Sequence, residues 1–156
     1  MEIRQITENK KNFLELLLVA DEQEDMIDRY LDRGEMFVLY DDDDVRGLCV
    51  VTDEGEGRFE LKNLAVSPAY QRRGYGKRLV EFISNRYRGR GDVLLVGTGD
   101  VPSTMVFYQS CGFVISHTIP RFFTENYDHP IIEEGVQLVD MIYSQTTIKA
   151  NRNMIE

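Results

Sequence analysis

The chain has 156 residues, of which 42% are hydrophobic and 29% are charged, and its formal net charge is −9. This length and composition predict a single globular domain, which we place at residues 1–150, followed by a frayed tail at 151–156. The acidic balance argues against a nucleic-acid substrate. Because the chain has neither an apolar run of roughly 18 residues nor a signal-peptide core near its start, we expect a cytoplasmic protein.

The first part of the chain carries alternating apolar patterns and two helical patterns. Residues 9–20 and 21–33 place apolar side chains at helical spacing. Four consecutive aspartates at 41–44 cannot be buried, so we expect an exposed hairpin turn there. The strands predicted in this part are residues 1–6, 36–40, 45–52 and 59–66.

The second part alternates helices with strands. Helices are predicted at 76–87 and from residue 102 to 111, with Ser103 as the N-cap of the second one. Residues 120–135 predict an irregular excursion. The predicted strands are residues 93–96, 113–119 and 137–148. Strands separated by helices within 76–111 indicate local parallel pairing.

The segment between the strand at 59–66 and the next helix carries a candidate anion site. Gly74 and Gly76 allow the backbone to bend tightly and to approach a ligand closely. The helix that follows contributes free N–H groups and the positive end of its dipole. Arg72, Arg73 and Lys77 add positive charge. This combination predicts a site for a phosphate or pyrophosphate group.

The spacing of the glycines distinguishes between phosphate motifs. A Walker loop requires GxxxxGK followed by Ser or Thr, which the chain lacks. A dinucleotide fingerprint requires a third glycine where Leu79 stands. The stretch QRRGYG at 71–76 instead resembles the acetyl-CoA signature Q/R-x-x-G-x-G/A of the GCN5-related N-acetyltransferase (GNAT) family, which also follows a strand and begins a helix. An ordinary glycine turn is the alternative.

The resemblance covers almost the whole chain, because the predicted order β-α-α-β-β-β-α-β-α-β-β is that of the family. It implies an α/β fold with a mixed, largely antiparallel central sheet, a parallel strand pair at the cofactor site and helices on both faces. It implies acetyl-CoA as the co-substrate. The residues that it assigns to cofactor binding are Leu64 and Val66 of the strand, and Gln71, Arg72, Arg73, Gly74, Tyr75, Gly76 and Lys77 of the loop.

The resemblance also suggests a proton donor and a proton acceptor. Tyr108 matches the helix tyrosine of the family's Y-x-x-x-G-F segment, which often protonates the coenzyme A thiolate; a buried core tyrosine is the alternative. Glu60 matches the strand position where several members carry a catalytic glutamate, and a solvated acid is the alternative. Where many members have a cofactor-contacting asparagine, this chain has Val101 beside Asp100. The rival bases are Asp100, Glu125, Glu133 and Glu134, or a chain of water molecules.

The cysteines and histidines predict no metal site. Cys49 and Cys111 lack metal-ligand spacing and are expected to be free thiols. The chain has only two histidines, His117 and His129, so we expect neither a histidine-based metal site nor a catalytic triad.

The charge is unevenly distributed along the chain. Residues 71–91 carry seven basic groups and one acidic group, a net +6 that leaves −15 for the rest. A basic segment suits an anionic cofactor, and an acidic body suits a neutral or cationic acceptor, although plain solubility explains it equally well. Residues 121–135, with aromatic and acidic side chains, are the candidate acceptor region, or alternatively a hydrophobic lid or a dimer contact.

The leading functional hypothesis is an acetyl-CoA-dependent enzyme that acetylates a primary amine of a small molecule or peptide by direct transfer. A catalytically silent acyl-CoA-binding module with a sensory or interaction role is the alternative from another class. An acyltransferase that uses a longer acyl-CoA is a third hypothesis. We expect no nucleic-acid or membrane partner, and the sequence leaves a homodimer open.

Overall fold

A computed structural model of the protein describes residues 1–149. The predicted tail at 151–156 therefore lies outside the described residues. Nine strands and five α-helices are present in the described part of the chain. The strands are β1 (Glu2–Ile6), β2 (Glu35–Asp41), β3 (Asp44–Gly55), β4 (Arg58–Val66), β5 (Val93–Gly99), β6 (Val114–Ile119), β7 (Ile132–Glu133), β8 (Val136–Gln137) and β9 (Met141–Thr147). The helices are α1 (Leu14–Ala20), α2 (Glu24–Ile27), α3 (Tyr75–Tyr87), α4 (Pro102–Ser110) and α5 (Phe122–Asn126).

Seven strands form one sheet in the order β1-β2-β3-β4-β5-β9-β6. Every neighbouring pair is antiparallel except β4 and β5, which run parallel. The β2–β3 hairpin turns at Asp42 and Asp43, both with positive φ, so the predicted aspartate turn is confirmed. The predicted mixed, largely antiparallel sheet with one parallel pair is confirmed as well.

Helices cover both faces of the sheet. On one face α3 and α4 pack through Leu79, Ile83 and Tyr108 against apolar side chains of β2 to β5. On the other face α1 and α2 pack through Leu17 and Ile27 against β2, β3 and β4. Two cores on opposite sides of one sheet fix the strands in place.

The second predicted helix is wrong in its extent. Only Glu24–Ile27 is α-helical within residues 21–33; residues 28–33 form turns, and residues 21–23 have no regular structure. The Lys10 ammonium group donates hydrogen bonds to the carbonyl oxygens of Leu31 at 2.9 Å and of Gly34 at 2.6 Å. These carbonyl groups are therefore satisfied by a side chain from another part of the chain, which the helical periodicity of this segment could not show.

Three further predictions need correction. Ser103 is not an N-cap, because α4 begins at Pro102 with Val101 in the cap position, as suits a proline in the first helical turn. The excursion at 120–135 is partly regular, because it contains α5 and the small β7–β8 hairpin. The predicted strand at 137–148 is interrupted, since β9 begins only at Met141.

Candidate active site

The site begins where the two parallel strands separate. The pairing of β4 with β5 runs from Arg58 opposite Val93 to Leu61 opposite Val96 and then stops. Beyond this point β5 continues beside β9, and β4 continues beside β3. The edge of β4 from Lys62 to Val66 therefore carries backbone groups that no longer pair with β5. Such an edge can bind an extended ligand in the manner of an added strand.

A β-bulge lies at this point of β4. Val50 pairs with Asn63 and Val51 pairs with Leu61, so Lys62 is the extra residue of the bulge. As a result Leu61 and Leu64, three residues apart, both pack toward the α3 side. The bulge directs Glu60 and Asn63 to the opposite face, where Asn63 donates to the Leu17 carbonyl and the Tyr30 hydroxyl at 3.1 Å each.

The loop after β4 presents backbone donors at the start of α3. Gly74 is the N-cap residue with φ of 88°, and no side chain caps the helix. The first intrahelical bond runs from the Arg78 amide to the Gly74 carbonyl at 3.1 Å. The N–H groups of the first turn therefore have no intrahelical acceptor and remain available to an anion. The Gln71 side chain donates to the Val66 carbonyl at 3.1 Å and joins the loop to β4.

A cavity of about 390 Å³ touches the outer side of α3, and a larger one of about 590 Å³ lies between β4, the loop and α4. We call the larger one the cofactor cavity. Its lining includes eight of the nine residues that the family resemblance assigns to the cofactor, together with five residues of α4, among them Tyr108. The eight are Leu64, Val66, Gln71, Arg72, Gly74, Tyr75, Gly76 and Lys77.

Arg73 is the predicted cofactor residue that does not line this cavity. Its guanidinium carbon lies 5.6 Å from the centre of the Tyr70 ring, and that of Arg46 lies 3.7 Å from the same centre. Arg72 and Lys77 line the cavity and form no ion pair within residues 1–149. The charges suited to a pyrophosphate thus come from these two side chains and the helix terminus.

The two loop glycines are needed for different reasons. Nothing lies within 4 Å of a Cβ added at Gly74, but its positive φ strains any other residue. Gly76 has ordinary helical geometry, but a Cβ there would lie 3.3 Å from Phe107 Cζ and 3.7 Å from Val66 Cγ2, both in the cavity wall.

We therefore expect Gly76→Val to weaken coenzyme A binding by at least tenfold, about 1.4 kcal/mol, because its methyl groups project into the cavity wall. Gly76→Ala adds only the Cβ and should cause a smaller loss. Calorimetric titration of both variants with coenzyme A measures the difference, and thermal melting establishes that they fold. Wild-type affinity in a folded Gly76→Val protein would place the pyrophosphate elsewhere.

Tyr108 lies at the boundary of the α3 core and the cofactor cavity. Its ring packs edge-on against Phe107 and Phe113, and only 9% of the residue is exposed. Burial raises the pKa of the Tyr108 hydroxyl, which therefore stays protonated. This hydroxyl has no hydrogen-bond partner within residues 1–149, yet it is not among the fully buried unpartnered atoms. It is thus free to donate a proton to a ligand in the cavity.

A third cavity, of about 240 Å³, lies on the opposite face beside Glu60. We call it the acceptor cavity. Its walls come from the turns after α1, the bulge region of β4, β5, α5 and β9. The lining residues are Asp21, Met26, Arg29, Tyr30, Arg33, Glu60, Leu61, Lys62, Gly97, Phe122, Tyr127, Met141 and Tyr143. It reaches residues 60–62 of β4 and the cofactor cavity reaches residues 64 and 66, so the two cavities line neighbouring segments of one strand without sharing a residue.

Glu60 is held by two side chains. One carboxylate oxygen, Oε2, accepts a hydrogen bond from the Tyr143 hydroxyl at 3.0 Å and forms an ion pair with the Lys62 ammonium group at 2.9 Å. The other oxygen, Oε1, has no partner among residues 1–149 and is not fully buried, although Glu60 as a whole is 7% exposed. Burial and the adjacent Glu60 raise the pKa of Tyr143, so its hydroxyl remains a donor. A carboxylate with one oriented and one open oxygen can accept a proton from an amine.

None of the rival bases lines either cavity. Glu125 pairs with Arg121 at 3.0 Å, and Glu134 accepts from the Ser103 hydroxyl at 2.8 Å. Burial raises the pKa of Glu133, which lies outside the acceptor cavity. Of the predicted acceptor region at 121–135, Phe122 and Tyr127 reach the cavity lining.

Sequence analysis missed three residues that shape the site: Lys62, Tyr143 and Asp21. Lys62 could have been found, because residues two apart on a strand share a face. The apolar Phe59 and Leu61 indicate one face of the strand, which leaves Glu60 and Lys62 together on the other. Tyr143 lies 83 residues from Glu60 along the chain, and only the placement of β9 brings it close.

Asp21 joins both sides of the acceptor cavity. Its Oδ1 accepts from the Tyr127 hydroxyl at 2.7 Å and its Oδ2 from the Tyr30 hydroxyl at 3.0 Å. Burial raises the pKa of Asp21 despite these hydrogen bonds. The Asp128 amide also donates to the Gln23 side chain at 3.0 Å. These contacts fix the segment after α5 against the turn between α1 and α2.

Both cysteines are free thiols, and Cys49 is buried. Within residues 1–149 no group of three or more His, Cys, Asp or Glu side chains is arranged to hold a metal ion. None of the helices in the same range is both long and apolar enough to cross a membrane.

Comparison with known proteins places the sequence among acetyltransferases. The family model described as Acetyltransferase (GNAT) domain matches residues 32–115. An uncharacterised N-acetyltransferase of Bacillus subtilis, YvbK, is 34% identical over 137 residues, covering 86% of this chain and 88% of that protein.

Two solved structures are similar over almost the whole chain. A GNAT family acetyltransferase from Elizabethkingia anophelis with acetyl-CoA bound is 29% identical with a TM-score of 0.87, covering 94% of this chain and 97% of that one. A Bacillus subtilis acetyltransferase in complex with CoA is 32% identical with a TM-score of 0.86 and the same coverage.

Proposed function

The chain belongs to the GNAT acetyltransferase family, and from this we propose that it transfers an acetyl group directly from acetyl-CoA to a primary amine of a small molecule or peptide. It is an N-acetyltransferase, and acetyl-CoA is its co-substrate. The observation that carries the proposal is the presence of two cavities on neighbouring segments of β4, one with an open phenol hydroxyl and the other with an open carboxylate oxygen.

The residues of the cofactor cavity fit the co-substrate. The free amides of the first turn of α3, with Arg72 and Lys77, suit a pyrophosphate. The unpaired backbone edge of β4 at Leu64 and Val66 suits the amide-containing pantetheine arm, and an N–H group there can donate to the thioester oxygen. The thioester supplies an activated acetyl group, and the protein holds both reactants in line.

Glu60 and Tyr108 then serve as proton acceptor and proton donor. Glu60 Oε1 takes a proton from the acceptor's ammonium group, which leaves the nitrogen lone pair free to form the new C–N bond. As the C–S bond breaks, Tyr108 gives its proton to the departing sulfur. Burial keeps the pKa of the Tyr108 hydroxyl above that of a thiol, so this transfer is uphill unless it is coupled to another proton transfer. The reacting nitrogen supplies it by giving its second proton to the tyrosine oxygen, which restores the phenol. The first proton, taken by Glu60, passes to solvent, and the products are the acetylated amine, the coenzyme A thiol and one released proton.

Incubation with acetyl-CoA and a panel of amines tests the proposal. We expect release of free coenzyme A thiol that depends on both the protein and the amine, together with an acetylated amine detected by mass spectrometry. Binding of acetyl-CoA without thiol release for any amine would favour the silent acyl-CoA-binding module. Faster release from a longer acyl-CoA would indicate a different acyl donor.

Three further expectations belong to this proposal. We propose that residues 1–150 act as one acetyltransferase domain, that the protein works in the cytoplasm, and that neither nucleic acid nor membrane is a partner. Size-exclusion chromatography with light scattering decides between a monomer and a homodimer.

A further inference from the structure

The three basic side chains of the acceptor cavity differ in whether an acidic side chain pairs with them. Lys62 is paired with Glu60 at 2.9 Å, and Arg33 Nη1 is paired with Glu54 Oε2 at 2.8 Å. Arg29 differs from both, because its Nη1 donates only to the side-chain oxygen of Asn126 at 3.0 Å, which is a neutral group. Within residues 1–149 Arg29 forms no ion pair.

The two acids in the cavity are already engaged. Each oxygen of Asp21 accepts a hydrogen bond from a tyrosine hydroxyl, and Oε2 of Glu60 accepts one from Tyr143 and forms an ion pair with Lys62. The oxygen that remains open is Oε1 of Glu60, which the reacting amine needs. A second ammonium group on the acceptor would therefore lack a free carboxylate and would lie near three cations, Arg29, Arg33 and Lys62. This arrangement disfavours polycationic acceptors.

We propose that Arg29 binds a carboxylate of the acceptor, so that the preferred substrates are small amines that carry an acidic group, that is, amino-acid-like zwitterions. A guanidinium group offers several donors in a fork that matches a carboxylate. The cavity of about 240 Å³ suits a small molecule, and Phe122, Tyr127 and Tyr143 provide apolar walls. The inference rests on the proposed function, since it takes the Glu60 cavity as the acceptor site.

The charges inside the acceptor cavity give a more specific prediction of the acceptor than the charge of the whole protein does. The acidic body of the chain, −15 outside residues 71–91, led us to expect a neutral or cationic acceptor. A zwitterion is neutral as a whole, yet its carboxylate can contact Arg29 while its ammonium group contacts Glu60. Local pairing at the site, rather than the distant acidic body, decides this preference, because exposed charges are screened beyond about 10 Å at 0.1 M salt.

Matched acceptors test the inference. We would compare a series of short ω-amino acids with their primary amides, which keep the amine and the length but lose the negative charge. The wild-type protein should show a kcat/KM at least about tenfold higher for the acid than for the amide, mainly through KM. Arg29→Gln should bring this ratio close to one. Arg4→Gln, at the far edge of the sheet on β1, is the matched control and should keep the wild-type ratio.

A binding measurement separates this inference from the proposed function. Protein loaded with coenzyme A, which has no acetyl group to transfer, is titrated calorimetrically with the acids and the amides. If the acids bind more tightly than the amides and Arg29→Gln abolishes this difference, the inference is supported. If, in addition, no amine is acetylated, only the proposed function is overturned. Equal binding and equal kcat/KM for acids and amides, or a ratio that survives in Arg29→Gln, would overturn the inference alone.

Discussion

Tyr108→Phe should lower kcat by roughly 10²-fold while leaving the dissociation constant of coenzyme A almost unchanged. The substitution keeps the ring that packs against Phe107 and Phe113 and removes only the hydroxyl. That hydroxyl has no hydrogen-bond partner within residues 1–149, so its loss leaves no protein group unsatisfied. If the hydroxyl protonates the departing sulfur, the loss belongs to the chemical step, where general acid catalysis contributes about 10²–10⁴-fold. Single-turnover kinetics at saturating acetyl-CoA and acceptor measures it.

Tyr87→Phe is the matched control for this experiment. Tyr87 is another buried tyrosine of the same core, and its hydroxyl donates to Glu35 at 2.9 Å. It lines neither the cofactor cavity nor the acceptor cavity. We expect it to lose about 1 kcal/mol of stability and to keep its chemical rate. Equal rates for wild type and Tyr108→Phe would assign Tyr108 to core packing alone.

Glu60→Gln should lower kcat/KM by about 10²-fold or more. The amide retains the size of the carboxylate and can still accept from Tyr143, but it cannot take a proton from the acceptor's ammonium group. The kcat/KM of the variant then depends on the fraction of amine that is already neutral in solution. At pH values below the amine's pKa, this fraction rises about tenfold for each unit by which the pH is raised. We therefore expect its kcat/KM to rise more steeply with pH than that of the wild type. Rates measured from pH 6 to 9 with one acceptor provide the comparison.

The loss of a charge beside Lys62 complicates Glu60→Gln, so a control is needed. Glu35→Gln removes a carboxylate that pairs with Arg90 at 3.5 Å and lies outside both cavities. It should preserve both the rate and its pH profile. Thermal melting of each variant identifies any loss of folded protein. If Glu60→Gln kept the wild-type rate and pH profile, water rather than Glu60 would be the base.

The cofactor loop could be predicted from sequence because its geometry is local. The positive φ of Gly74, the close contact at Gly76 and the uncapped start of α3 all arise within a few residues of one another. The same holds for the turn at Asp42 and Asp43. In such segments the residue types directly specify the backbone.

The acceptor cavity could not be predicted in the same way, because its residues meet only through the tertiary fold. Tyr143 reaches Glu60 from β9, and Tyr127 reaches Asp21 across 106 residues. The bulge at Lys62 shifts the strand by one residue, which periodicity alone does not show. The second helix was overextended for a related reason, since the distant Lys10 binds the carbonyl groups at its end.

The most direct test of the account is a crystal structure of the protein with acetyl-CoA. We predict the pyrophosphate at the first turn of α3, the pantetheine arm along β4 beside Leu64 and Val66, and the thioester sulfur within about 3.5 Å of the Tyr108 hydroxyl. The acetyl group should then face the acceptor cavity on the side of Glu60. A sulfur atom well beyond hydrogen-bonding reach of Tyr108, with an acetyl group that points away from Glu60, would contradict the account.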